Sequence, residues 1–67
     1  MTSPADTAAP ALRLGGRAAI VSRGETRTGV VIDLDAALNF CMIEVEGRPA
    51  GQPLWVDAPL ARFTPVP

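Results

Sequence analysis

The chain has 67 residues and a net charge of −1, so it holds one small domain and no second core, and it generates no bulk field that would draw it to nucleic acid or anionic lipid. Of its 32 apolar residues 11 are Ala, and Phe40, Trp55 and Phe63 are the only aromatics, a core thin enough to call for added stabilisation. With one cysteine, Cys41, and no His, an intrachain disulfide, a Cys/His metal site and imidazole catalysis are excluded, which leaves self-association as the expected source of missing stability.

Residues 1–11 are Ala, Pro, Thr, Ser and one Asp, with no large apolar side chain after Met1. They cannot offset the entropy of being ordered, so a disordered tail is expected there and a single β domain over 12–67. The same segment lacks the basic start and apolar stretch of a secretion signal, and no apolar run is long enough to span a bilayer. A cytoplasmic location without membrane contact is the expectation, and a lone thiol fits it.

From Leu12 onward short apolar runs alternate with Gly, Pro, Asp and Asn, the texture of several short strands. The pair Gly15-Gly16 opens a first strand over Arg17–Ser22. A turn over residues 23–27 leads to a second strand, Thr28–Leu34, and residues 35–39 make the next turn with Asn39 suited to positive φ. A third strand follows over Phe40–Glu46. The Gly- and Pro-rich stretch 47–53 reads as a loop, Leu54–Val56 as a short fourth strand, and residues 57–61 as a single helical turn capped by Asp57. A last strand covers Arg62–Thr64, with Pro65 expected to end its pairing. Five short strands with one helical turn before the last predict an all-β fold, a five-stranded SH3-like barrel.

Strand parity assigns the faces. Val30, Ile32 and Leu34 share one face and Val31, Asp33 and Asp35 the other; Cys41, Ile43 and Val45 oppose Phe40, Met42, Glu44 and Glu46. Taking the charged face as wet places Val30, Ile32, Leu34, Ile43 and Val45 in the core with Ile20, Leu54 or Val56, Leu60 and Phe63. Val21, Val31, Phe40, Met42 and Trp55 are then outward apolar residues, more than a small monomer shows, and they are the expected interface with a second copy or another protein.

Little else in the sequence points to chemistry. The pairs Asp33/Asp35 and Glu44/Glu46 read as solvated strand faces, because no phosphate loop or further ligand accompanies them. Cys41 falls among inward residues and has no Lys or His to lower its pKa. All six basic residues are Arg. Arg17, Arg23 and Arg27 around the first turn and Arg48 in the long loop are the candidates for anion or nucleic-acid phosphate contacts, set against an ordinary solubilising role.

Two family resemblances attach to these segments. GRAAIVSRGETRTGVVID, from Gly16 to Asp33, resembles the KOW-type opening of SH3-like barrels, which implies binding of RNA or protein. Over residues 14–63 the chain resembles the plasmid-type (type II) dihydrofolate reductases, small SH3-like barrels that assemble around a shared pore. Leu14-Gly15-Gly16-Arg17 is similar to that family's Met-Gly-Asp-Arg. Ile43-Glu44-Val45-Glu46 with Pro49 is similar to its Val-Glu-Ser-Glu and Pro, and Leu54-Trp55 with residues 58–63 is similar to its closing segment. The resemblance implies a homo-oligomer and, for an active member, NADPH as cofactor. The pore motif Val-Gln-Ile-Tyr is replaced here by Gln52-Pro53-Leu54-Trp55, and Ala19, Ile20 and Val21 stand where the family carries basic residues. The expected function is therefore a non-catalytic binding or assembly module with no catalytic residue, metal or cofactor. The alternatives are a divergent NADPH-dependent reductase and a KOW-like nucleic-acid binder.

Overall fold

A computed structural model describes residues 11–67, and the tail expected over 1–11 lies, apart from Ala11, outside the described residues. The order of elements is β1 (Arg17–Ser22), β2 (Glu25–Asp35), β3 (Phe40–Val45), β4 (Trp55–Ala58), a single 3₁₀ turn (Leu60–Arg62) and β5 (Phe63–Val66). All pairings are antiparallel and join the strands into one sheet in the order β4-β3-β2-β1-β5. The all-β class, the five strands and the lone helical turn before the last agree with the sequence reading. Among the described residues no helix is long and apolar enough to cross a membrane.

The β1–β2 hairpin is tighter than the sequence implies. Arg23 (φ 53°) and Gly24 (φ 79°) both take the left-handed conformation, so a two-residue turn with the twist of its strands replaces the expected five-residue one. Ser22 then pairs with Glu25, and β2 begins three residues early. At the other end of this ladder Gly15 N donates to Val31 O (2.9 Å) and Val31 N to Gly16 O (2.8 Å), so the entry glycines extend the pairing of β1 up to Val31.

β2 is 11 residues long because it serves two neighbours in turn: β1 along its first half and β3 from Gly29 to Asp35. The transfer occurs at a β-bulge at Ile32, where the partner register passes from Val31↔Ile43 to Asp33↔Met42. An extra residue at this point bends the strand and reverses the sense of its alternation. Leu34 is inward as the parity argument holds, but before the bulge the faces are exchanged. Val31 is 2% exposed and sits in the core, while Val30 and Ile32 are 40% and 42% exposed. Val31 is therefore a core residue rather than an interface residue, and Val30 and Ile32 are surface residues.

The buried cluster is Ala18, Ile20, Val31, Cys41, Ile43 and Phe63, with Leu12, Leu34, Val45, Val56, Ala58 and Leu60 packed around it. Two of its six fully buried members, Ala18 and Cys41, are small. The core is as thin as the composition implies, and burial of each larger side chain supplies only about 1.5–3 kcal/mol.

Further boundaries differ from the sequence reading: β3 ends at Val45 rather than Glu46, β4 covers Trp55–Ala58 rather than Leu54–Val56, and β5 covers Phe63–Val66 rather than Arg62–Thr64. Asp57 is a strand residue opposite Met42 rather than a helix cap. The 3₁₀ turn follows Pro59, has no cap from its own side chains, and receives its hydrogen bond from afar: Leu60 N donates to Asn39 Oδ1 at 3.1 Å. Asn39 has φ 52°, as expected. Pro65 lies inside β5, opposite Ala18, instead of ending it, because β5 is an edge strand, where Pro is tolerated.

Candidate functional site

The outward face of β2, β3 and β4 is built in cross-strand rows. In the first row Val30 pairs with Glu44 and Glu44 with Trp55; in the second, Asp33 pairs with Met42 and Met42 with Asp57; in the third, Asp35 pairs with Phe40. Bulged Ile32 stands beside the second row. Apolar and acidic side chains thus alternate across the strands, at the spacing at which cross-strand neighbours touch. Trp55 is 55% exposed, and Phe40 and Met42 are half-buried. The Gly- and Pro-rich loop does not cover the patch.

The carboxylates of this face differ in their commitments. Asp33 Oδ1 accepts from Leu34 N at 2.9 Å beside the bulge, and Asp35 Oδ1 accepts from Leu38 N at 3.1 Å, fixing the β2–β3 turn. At the border of the face Arg17 donates through Nε to Glu46 Oε1 (3.2 Å) and through Nη2 to Glu46 Oε2 (2.8 Å). This two-point contact raises the Arg17 pKa, through the hydrogen bond first and the opposite charge second. Among the described residues Glu44 and Asp57 form no salt bridge. No basic side chain other than Arg17 enters these rows, so the face is acidic.

The loop after β3 is closed on itself. Gln52 N donates to Pro49 O (3.1 Å), Val45 N to Leu54 O (2.9 Å), and Arg48 Nε to Gln52 O (3.1 Å), with Gly51 at φ 78° where a left-handed residue is needed. Between this loop and the end of β3 lies an open depression of about 530 Å³ lined by Glu44, Glu46, Arg48, Pro49 and Pro53 among others. The segment Gln52-Pro53-Leu54-Trp55 straddles the end of the loop and the start of β4. Gln52 belongs to the turn, and only Trp55 is in the strand.

The remaining candidates lie apart. Val21, 59% exposed, is near the tip of the β1–β2 hairpin, on the same side of the sheet as Val30 and Trp55 but four residues further along β1 than Arg17, which pairs with Val30. The predicted interface set therefore falls into three places: Val31 inside, Val21 at the tip, and Phe40, Met42 and Trp55 on the outer face of β3 and β4. The four Arg candidates do not converge either. Arg17 is bound to Glu46, Arg27 Nη2 contacts Glu25 Oε1 at 3.2 Å, Arg48 holds the loop and Arg23 forms the hairpin turn. Arg62, absent from the sequence expectation, reaches the same tip, with Nη2 donating to Val21 O at 2.8 Å.

Cys41 is fully buried, and burial, followed by the nearby charge of Asp33, raises its thiol pKa, the opposite of what a nucleophile requires. Among the described residues no group of three or more Cys, Asp or Glu is placed to hold a metal ion. Sequence reasoning missed Val30 and Ile32 as surface residues and Asp57 as a member of the face. The clue to the first two is the run Val30-Val31-Ile32, three apolar residues in a row, which strict alternation cannot accommodate. Comparison with protein-family models, curated proteins and solved structures gives no match.

Proposed function

We propose that this chain is a non-catalytic assembly module that binds further copies of itself through the outer face of β2, β3 and β4. The observation that carries this reading is the exposure of Val30, Ile32 and Trp55 beside Met42 on one face of so small a domain. Clustered apolar residues of this kind mark interaction surfaces, whereas isolated ones need no explanation. The thin core adds support, since a domain with few large buried side chains gains most from burying more of them between subunits. Exposed Trp flanked by aliphatic side chains is also the composition enriched where binding energy concentrates.

The test is the mass of the full chain by size exclusion with light scattering at high micromolar concentration. A multimer is expected, and Met42→Glu, which places a charge between Asp33 and Asp57, should reduce it to the monomer mass with its far-ultraviolet spectrum unchanged. A wild-type monomer at that concentration, or a multimer that survives Met42→Glu, overturns the assignment of this face.

A further inference from the structure

Resting on the self-assembly reading, we infer that copies join head to tail, the β1–β2 hairpin tip of one copy seating on the acidic face of β2–β4 of the next. The two surfaces are complementary in charge. At the tip, exposed Val21 is accompanied by Arg23 in the turn and by Arg62, whose guanidinium reaches the Val21 carbonyl, with Arg27 and its partner Glu25 on the other side of the hairpin. Three guanidinium groups against one carboxylate leave the tip basic. On the face, Asp33, Asp35, Glu44 and Asp57 accompany Val30, Ile32, Met42 and Trp55; of the two cations at its margin, Arg17 is bound to Glu46 and Arg48 donates to the Gln52 carbonyl. Each surface therefore offers apolar side chains set among charges of one sign, and the signs are opposite.

The geometry makes the contact intermolecular. Tip and face are carried by the same strand, β2, and the four residues from Thr26 to the first row of the face at Val30 separate them by about 13 Å at the rise of an extended strand. A single sheet cannot bring them together within one molecule. Face-to-face pairing of two copies would oppose four carboxylates to four carboxylates, and tip-to-tip pairing would oppose the arginines; like charges across an interface are penalised heavily. Tip-to-face pairing removes both conflicts. A single tip-to-face contact is heterologous and closes as a ring or continues as a chain according to the rotation between copies, whereas two reciprocal ones close a two-fold dimer.

Charge reversal with rescue tests this. In the full chain, Arg23→Glu with Arg27→Glu should weaken assembly by at least about tenfold in dissociation constant, and Glu44→Arg with Asp57→Arg should do the same. Mixing the two variants should restore assembly towards the wild-type mass, because the side chains reversed at positions 23 and 27 then face those reversed at positions 44 and 57. Milder variants, Arg23→Gln and Glu44→Gln, keep the test informative should a double variant unfold, and each should weaken assembly in the same direction. Assembly should also weaken as salt rises from about 0.15 M to about 1 M, over which the screening length falls from about 8 Å to about 3 Å. A multimer disrupted by Met42→Glu but indifferent to salt and to Arg23 and Arg27 overturns the head-to-tail arrangement while leaving self-assembly in place. Loss of assembly in both double variants without rescue on mixing also overturns it, and a chain that is monomeric throughout refutes both.

Discussion

Gly29→Ala is a one-carbon change that should cost this domain most of its stability. Gly29 is buried at the point where β2 acquires its second neighbour, paired with Ala18 on β1 and Val45 on β3. A Cβ at this position would lie 2.0 Å from the carbonyl oxygen of Glu44, 2.6 Å from its carbonyl carbon and 2.9 Å from Val45 Cα, whereas ordinary contact begins near 3.4 Å. All three obstacles are backbone, so no side-chain rotation relieves them, and β3 must move away by more than an ångström. Overpacking of this kind costs about 1–3 kcal/mol. Weakening the adjacent ladder bonds adds about 0.5–1.5 kcal/mol for each. Against this, Ala restricts the unfolded chain and returns about 0.4–1 kcal/mol. The net loss is about 2–4 kcal/mol, close to the whole of the about 3–5 kcal/mol that one core of this size supplies. In urea or thermal unfolding this appears as a fall of at least about 10 °C in Tm, at about 4–8 °C per kcal/mol for a domain of this length. Gly24→Ala is the control. It lies at φ 79° with open space around the added carbon, so it should cost only the local strain of about 1–2 kcal/mol. If Gly29→Ala destabilises by less than about 0.5 kcal/mol, or by less than Gly24→Ala, then β2 and β3 do not approach as described.

Cys41 should be protected from thiol reagents at neutral pH, modified only as fast as the domain opens, and fully reactive in denaturant. Since the folded state holds the thiol proton more tightly than the unfolded chain, its contribution to stability is complete below the ordinary value of 9.0 and is lost as pH rises through the raised one. Unfolding midpoints measured from pH 7 upward should decline in the alkaline range, and Cys41→Ala should abolish this thiol-dependent part of the slope; an unchanged slope refutes the assignment. Asn39 has two functions, the left-handed turn and the acceptor for Leu60 N. Asn39→Gly keeps the first and loses the second, whereas Asn39→Ala loses both, so urea midpoints should fall in the order Asn, Gly, Ala, with about 1–2 kcal/mol between the ends. Equal midpoints for Gly and Ala would remove the turn from this account.

What the sequence makes legible is the punctuation. The Gly15-Gly16 entry, the ends of β1, the start of β3 and the left-handed Asn39 all follow from residues whose backbone preferences are strong and local. So does the inward set Cys41, Ile43 and Val45, because Glu44 and Glu46 mark the wet face and no bulge interrupts the alternation of β3. β2 is harder to read. Its charged residues, Asp33 and Asp35, lie after the bulge, and parity carried backward from them assigns Val30 and Ile32 to the core and Val31 to the surface. The run Val30-Val31-Ile32 shows only that strict alternation breaks, not where the bulge falls. The bulge is imposed by tertiary geometry, at the point where one strand must leave β1 and follow β3. Asp57 is misread for a related reason: Asp before Ala-Pro-Leu is a good local cap, but pairing with Met42 takes the residue into β4, and the distant Asn39 satisfies Leu60 N instead.

The same bulge determines what the surface can do. With regular alternation Val30 and Ile32 would be inside, and the outer face of β2 would be acidic with little to bury. Moving Val31 inward keeps a branched side chain in the core and places two others outside, next to Met42 and Trp55. The residues of β2 then divide along its length. Glu25 and Arg27 lie near the turn with Arg23, and Asp33 and Asp35 lie beyond the bulge with Glu44 and Asp57 opposite. The hairpin tip is made basic by Arg23 and Arg62 beyond the paired Glu25 and Arg27, the far end of β2 is acidic, and an extended strand cannot fold back to join the two. The apolar residues at each end would be costly to leave exposed in a domain with so small a core. On the proposed self-assembly a second copy would supply both the missing contact area and the opposite charge, so salt and charge reversal, more than area alone, should govern it.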